Sequence, residues 1–178
     1  MRNVYFYLFV FCSVRLFSLS SDDFIIQQSI DMGNVRHRPK IYLGQTWDEL
    51  NIKDKLINTE KYEQWGLYKD VVIYFYENIE IVTAQYIPNA MYRTIVQITI
   101  TGNKYFTMNE ITIYDLVSHM ISIYGKPKIE QSYESMVYSL YELDNPRSDY
   151  IDLQSLHLNF ISLNGIIQKI RVSYAYSI

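Results

Sequence analysis

Alternation of apolar and polar residues predicts most of the strands in this chain. Six stretches rich in β-branched and aromatic residues share this character: 71–76, 79–86, 92–101, 136–143, 155–162 and 166–174. Val96, Ile98 and Ile100 alternate with polar residues, which places the three apolar side chains on one face of a strand. Asn164-Gly165 separates the last two stretches and predicts a tight hairpin turn between them.

Two helix N-termini are predicted where a threonine is followed three positions later by an acid. Thr46 precedes Glu49 in this way, and Thr112 precedes Asp115. After the second cap, apolar residues recur at spacings of three and four: Ile113, Leu116, Val117, Met120, Ile121 and Tyr124. We expect the first helix to end near Gly66 and the second to end just after Tyr124, at a Gly-Lys-Pro sequence.

Each predicted helix precedes about three predicted strands, and this order indicates a tandem duplication. The expected fold class is α+β, with two tandem repeats, each a capped helix packed on an antiparallel β-sheet of about three strands. The first repeat covers 41–103 and the second covers 104–178, after an extended lead-in at 21–40. No Gly/Ser/Pro-rich linker separates the repeats, so we expect one body in which the two sheets can join edge to edge.

The composition of residues 1–20 is that of a secretory signal peptide. A basic start is followed by an apolar run at 4–14 and by small residues before the predicted cleavage after Ser20. This run is too short to span a bilayer, so no membrane span is expected in the mature chain. We expect a periplasmic or secreted bacterial protein. The only cysteine, Cys12, lies in the segment to be removed, which excludes disulfides from the mature chain.

The charge balance restricts the classes of partner. Loss of Arg2 and Arg15 with the signal peptide lowers the Lys+Arg count from 16 to 14 against 19 Asp+Glu, a net charge of about −5. Nucleic acids and anionic lipids are bound by concentrated positive charge. Neither is therefore an expected partner.

No residue pattern predicts catalysis, a metal site or a cofactor. Asp115 and His119 have the spacing of an acid–imidazole pair on a helix. No nucleophile accompanies them, and an ordinary pair on a helix surface is the better interpretation. The three histidines, at 37, 119 and 157, lack the paired spacing of metal ligands. The protein is therefore expected not to be an enzyme.

Tyrosine is the residue type in excess, with 18 in the chain. A tyrosine ring buries a large apolar area while its hydroxyl stays hydrated, which suits protein interfaces and carbohydrate-binding faces. Four strand tyrosines are the predicted binding residues: Tyr74, Tyr76, Tyr138 and Tyr141. The alternative is that these rings only pack across strands or cover a helix.

The sequence resembles the small exported helix-plus-sheet module of the SmpA/OmlA outer-membrane-assembly lipoproteins. The first part of the module's signature is matched in repeat one by Ile41, Gly44, Thr46, Glu49 and Leu50. The later G-x-P element is matched in repeat two by Gly125 and Pro127. In duplicated form, the module is similar to the β-lactamase-inhibitory-protein fold. The resemblance implies a protein that binds other proteins.

We therefore expect an exported, non-enzymatic protein-binding module that acts on an envelope or secreted partner. The alternative is a small-ligand or glycan-binding protein with a pocket between the repeats. A second copy of the chain could also cover an edge strand that is left unpaired, which would make a homodimer.

Overall fold

The computed structural model describes residues 19–29, 38–47, 50, 52–87, 92–143 and 155–175. Of the predicted signal peptide, only Leu19 and Ser20 lie within these ranges. The predicted cap residue Glu49 lies outside them.

Strands dominate the described part of the chain. A short 3-10 helix spans Ser21–Phe24. Eleven strands and one α-helix follow it in the described residues: β1 (Ile26–Gln28), β2 (Lys40–Ile41), β3 (Leu56–Trp65), β4 (Tyr68–Tyr76), β5 (Ile79–Tyr86), β6 (Thr94–Ile100), β7 (Tyr105–Thr107), α1 (Val117–Tyr124), β8 (Ile129–Tyr133), β9 (Met136–Leu143), β10 (Leu156–Leu163) and β11 (Ile166–Tyr174).

Eight of these strands form one antiparallel sheet in the order β3-β4-β5-β6-β11-β10-β9-β8. Two four-stranded meanders, β3 to β6 and β8 to β11, thus meet where β6 pairs with β11. In this pairing Ile98 lies opposite Val172, and Ile100 lies opposite Ile170. The two outermost strands of the sheet are β3 and β8. A smaller antiparallel sheet has the order β2-β1-β7.

The strand predictions are confirmed for all six apolar stretches. Those at 79–86, 136–143 and 166–174 coincide with β5, β9 and β11, and the other three differ from β4, β6 and β10 only at their ends. The predicted turn is also confirmed, because Asn164 and Gly165 have φ angles of 52° and 77°. These positive angles are those of a type I′ hairpin turn.

The predicted fold class, with two helix-capped repeats, is wrong. The first helix was expected to continue to Gly66, but Leu56–Trp65 forms β3. In the described residues α1 is the one α-helix. Gly66 explains the error, because its φ of 58° places it first in the two-residue turn between Trp65 and Tyr68. A glycine with positive φ ends helices and also begins hairpin turns, so the residue type did not separate the two.

The second helix exists but begins later than its predicted cap. It starts at Val117, and Leu116 precedes it without a capping side-chain hydrogen bond. The predicted cap residues instead form a turn before the helix. The Asp115 carboxylate accepts a hydrogen bond from the Thr112 N–H at 2.8 Å, and the Thr112 hydroxyl donates to the Tyr105 carbonyl at 2.7 Å.

The main hydrophobic core lies between one face of the large sheet and the smaller elements. Met120 and Tyr124 are the buried residues of α1. The Tyr124 ring lies 5.5 Å from the rings of both Tyr141 and Phe160, which belong to β9 and β10. Ile26 of β1 belongs to the same buried cluster. The helix and the three-stranded sheet therefore cover the same face of the large sheet.

Candidate functional site

The four tyrosines predicted to bind a partner lie in different surroundings. Tyr74 pairs with Ile81, a fully buried core residue, so Tyr74 faces the core side of the sheet. Its ring stacks on Trp47 with centroids 3.9 Å apart. Tyr76, two residues further along β4, packs against the same core. Both rings are half-buried and have contacts within the chain, and their binding role stays a prediction.

Tyr141 is buried and holds β9 to the end of the helix. Its hydroxyl donates a hydrogen bond to the Gly125 carbonyl at 2.6 Å, and its ring meets Phe160 edge-on. Burial raises the pKa of Tyr141 to about 12, because a phenolate would lose its hydration there. These contacts account for this tyrosine by packing and hydrogen bonding.

Tyr138 is the predicted tyrosine that lines a described surface depression. It lies on β9 opposite Gln131 of β8. With Ser132 and Tyr133 these residues surround an open depression of about 530 Å³. Tyr133 is 64% exposed, so its ring can contact a ligand without rearrangement of the core. Aromatic rings beside amide and hydroxyl groups suit an amphipathic ligand.

The depression adjoins an open strand edge, which we call the β8 edge: the side of Ile129–Tyr133 that faces away from β9. All five residues of β8 are exposed, and among the described residues β8 pairs with β9 alone. A two-residue turn closes this hairpin, with Tyr133 opposite Met136. The closing pair of such a turn is hydrogen-bonded, so Glu130 and Ser132 direct their N–H and C=O groups outward.

The second open edge, the β3 edge, is the side of Leu56–Trp65 that faces away from β4. This strand has ten residues, and among the described residues it pairs with β4 alone. Ile57 is 65% exposed and Tyr62 is 44% exposed. The Tyr62 ring lies 5.3 Å from that of Trp65, and its hydroxyl donates to Glu60 at 2.8 Å. Long exposed edges with apolar side chains favour pairing with another strand.

Polar side chains occupy the centre of the sheet face opposite the core. Thr99 of β6 lies opposite Arg171 of β11, and Gln97 lies opposite Ser173. The Thr99 hydroxyl, the Gln97 side-chain carbonyl and the Arg171 Nε are buried without a hydrogen-bond partner in the described structure. The alternating pattern predicted the face of these residues but gave no sign of their burial.

The residues considered for catalysis are not assembled into a site. Asp115 precedes α1, whereas His119 lies on α1 and is exposed. The two residues therefore do not form a pair on adjacent turns of one helix. His157 of β10 lies opposite Glu142, and burial lowers the pKa of this histidine. Within the described ranges, no three His, Cys, Asp or Glu side chains are grouped as a metal site would require.

Tyr138 was predicted from the sequence, but its neighbours on β8 were not. The stretch 129–133 has only two large apolar residues, Ile129 and Tyr133, so its alternation was too weak to indicate a strand. Glu134 and Ser135, with φ angles of 45° and 72°, form the turn without an asparagine or glycine to mark it.

The described helix is too short to cross a bilayer, and no other described segment is a helix of sufficient length and hydropathy. No family model matches the chain, and neither a curated protein nor a solved structure matches it. The resemblance to the SmpA/OmlA module therefore stays a prediction.

Proposed function

We propose that this chain is an exported, non-enzymatic binding module that takes an extended segment of an envelope or secreted protein onto the β8 edge. The proposal rests on one observation: an open strand edge adjoins a depression that is lined by two tyrosines. Strand addition gains affinity from main-chain hydrogen bonds and specificity from pockets for alternate side chains.

The outward groups of Glu130 and Ser132 supply the main-chain hydrogen bonds. Alternate side chains of an added strand point to the same face of the sheet, and one of them enters the depression between Tyr133 and Tyr138. An aromatic or long aliphatic side chain fits there best, because it packs on the rings while the amide of Gln131 stays available for a polar end.

The first test selects random linear peptides of about nine residues that bind the native chain, and then measures the affinity of one by fluorescence anisotropy. Glu130→Pro removes an outward N–H, and we expect it to weaken binding about tenfold or more. Glu130→Thr, which loses the same charge but keeps the N–H, is the matched control and is expected to bind nearly as the native chain does.

Tyr138→Ser tests the depression itself and is expected to lower affinity by a similar factor. Tyr92→Ser, at an exposed tyrosine that belongs neither to β8 nor to the lining of the depression, is its control. The proposal would be overturned if all four variants bound the peptide as tightly as the native chain, provided that circular dichroism shows each variant to be folded.

A glycan is the second candidate ligand, because tyrosine rings beside an amide also bind sugars. Glu130→Pro distinguishes the two. A sugar bound in the depression keeps its affinity in this variant and loses it in Tyr138→Ser, whereas an added strand loses affinity in both.

Export is tested separately, by measuring the intact mass of the chain recovered from the cells that express it. The predicted cleavage after Ser20 gives a mature chain that begins at Ser21. A chain that keeps residues 1–20 would contradict the export prediction and would leave the β8 edge proposal unaffected.

A further inference from the structure

The β3 edge has features that the proposed function does not use. It is at the opposite end of the eight-stranded sheet from β8 and has twice as many residues. The turn at Gly66-Leu67 closes the hairpin with Trp65 opposite Tyr68. Since that closing pair is hydrogen-bonded, alternate residues direct their main-chain groups away from β4: Glu60, Tyr62 and Gln64.

We propose that two copies of this chain pair through their β3 edges, antiparallel, about a twofold axis at Tyr62. A symmetric antiparallel pair places one residue opposite its own copy at the axis. With Tyr62 there, Glu60 of each chain lies opposite Gln64 of the other. About six main-chain hydrogen bonds then join the copies, two for each pair of outward-facing residues.

Charge selects this register among the symmetric ones near the middle of the strand. An axis at Glu60, Lys61 or Glu63 places two identical charges opposite each other. The axis at Tyr62 instead places Lys61 opposite Glu63 of the second copy, and does so twice. Opposite charges on directly paired residues stabilise antiparallel strands, and like charges destabilise them.

The apolar residues of the strand support the same pairing. The tyrosine at the axis, 44% exposed in one copy, meets its own copy. Trp65 lies opposite Thr59 of the second chain in this register. Main-chain hydrogen bonds, two ion pairs and the covered aromatic rings therefore act together, and a second copy is the occupant whose charges match this edge.

The charge pattern gives a test by mixing variants. Lys61→Glu leaves two acids at the paired positions, and Glu63→Lys leaves two bases, so each variant alone is expected to dissociate about tenfold more readily than the native chain. An equal mixture restores both ion pairs and is expected to form a heterodimer. Light scattering measures the molar mass of each protein, recovered in the form that the cell produces, over a series of concentrations.

The edge-blocking variant Glu130→Pro is the control for the opposite edge and is expected to leave this dimer intact. A monomeric native chain would overturn the inference. So would a dimer that persists in both charge variants, a mixture that stays monomeric, or a dimer that is lost in Glu130→Pro. None of these results depends on whether peptides bind to β8.

A cysteine at the axis tests the register independently. In a chain with Cys12→Ser, Tyr62→Cys places two thiols opposite each other, at a Cα separation of about 5.5 Å that a disulfide accepts. With an added oxidant we expect a disulfide-linked dimer on a non-reducing gel. Glu60→Cys on the same background is expected to stay monomeric on that gel, since its own copy is far from it. Equal cross-linking of both variants would contradict the register.

Discussion

Thr99 is fully buried at the centre of the eight-stranded sheet, and its hydroxyl lacks a hydrogen-bond partner in the described structure. Sequence alternation placed this residue on the polar side of β6, where a threonine is ordinarily hydrated. Burial could not be foreseen, because it depends on neighbours from β5 and β11 that are distant along the chain. A buried polar group without a partner carries a desolvation cost.

Thr99→Val replaces that hydroxyl with a methyl group of similar size. We expect the free energy of unfolding to rise by about 1 kcal/mol, because an unpaired polar group is no longer buried. Urea unfolding measures the change. Thr107→Val is the matched control, since the Thr107 hydroxyl oxygen accepts hydrogen bonds from the Ile111 N–H and the Tyr124 hydroxyl. This control is expected to lose about 1–3 kcal/mol, and equal effects of both variants would contradict the argument.

The tyrosines that were predicted to bind a partner also differ in burial, although the sequence did not distinguish them. Tyr138 and Tyr141 both lie on β9, yet Tyr138 lines the open depression and Tyr141 is buried beneath the helix end. They are three residues apart and therefore lie on opposite faces of the strand. Composition identified the residue type, but only the position of the core distinguishes a packing tyrosine from one that can bind a ligand.

Individual strands were predictable where β-branched and aromatic residues are dense. β5, β9 and β11 were found with their exact bounds. The two edge strands were missed, because β3 and β8 are almost entirely exposed and their polar residues remove the apolar signal. An edge strand is specified by its partner and by its turn more than by its own alternation.

The helix prediction was correct for Met120 and Tyr124, which are buried, and wrong for the start of the helix and for Leu116 and Ile121, which are exposed. Periodicity gave Met120 and Ile121 equal weight, whereas Met120 is fully buried and Ile121 is 39% exposed. Met120→Ala is expected to lower the free energy of unfolding by about 2–5 kcal/mol through the cavity that it leaves. Ile121→Ala is expected to cost less than about 1 kcal/mol. Denaturant unfolding of both proteins measures the difference, and similar losses would show that α1 packs through another face.

At the scale of the whole molecule, several tyrosines among the described residues have hydroxyl groups with a raised pKa. Burial raises the pKa of Tyr105, Tyr124, Tyr141 and Tyr174. For Tyr141 the folded chain keeps its proton up to about pH 12, while the unfolded chain loses it near pH 10. The resulting stability is complete below pH 10 and is lost as the pH rises through 12.

We therefore expect the free energy of unfolding to fall steeply above pH 10, by up to about 1.4 kcal/mol per pH unit for each such tyrosine. Tyr141→Phe removes one of these groups. It is expected to be less stable than the native chain at pH 8, where it lacks the hydrogen bond to Gly125, and to lose less stability between pH 10 and 12. Denaturant titrations at stepped pH measure both effects, and parallel curves for the two proteins would contradict the assignment.

The position of β11 has a consequence for the order in which the protein folds. This strand is the last described one, yet it lies in the middle of the large sheet between β6 and β10. Until it emerges from the ribosome, β6 has no neighbour on one side and the two meanders cannot join. Pairing between such distant segments is slow, since a long loop must close before any contact forms. The large sheet is therefore completed only after β11 has been synthesised, and until then the facing edges of β6 and β10 stay open to pairing with other strands.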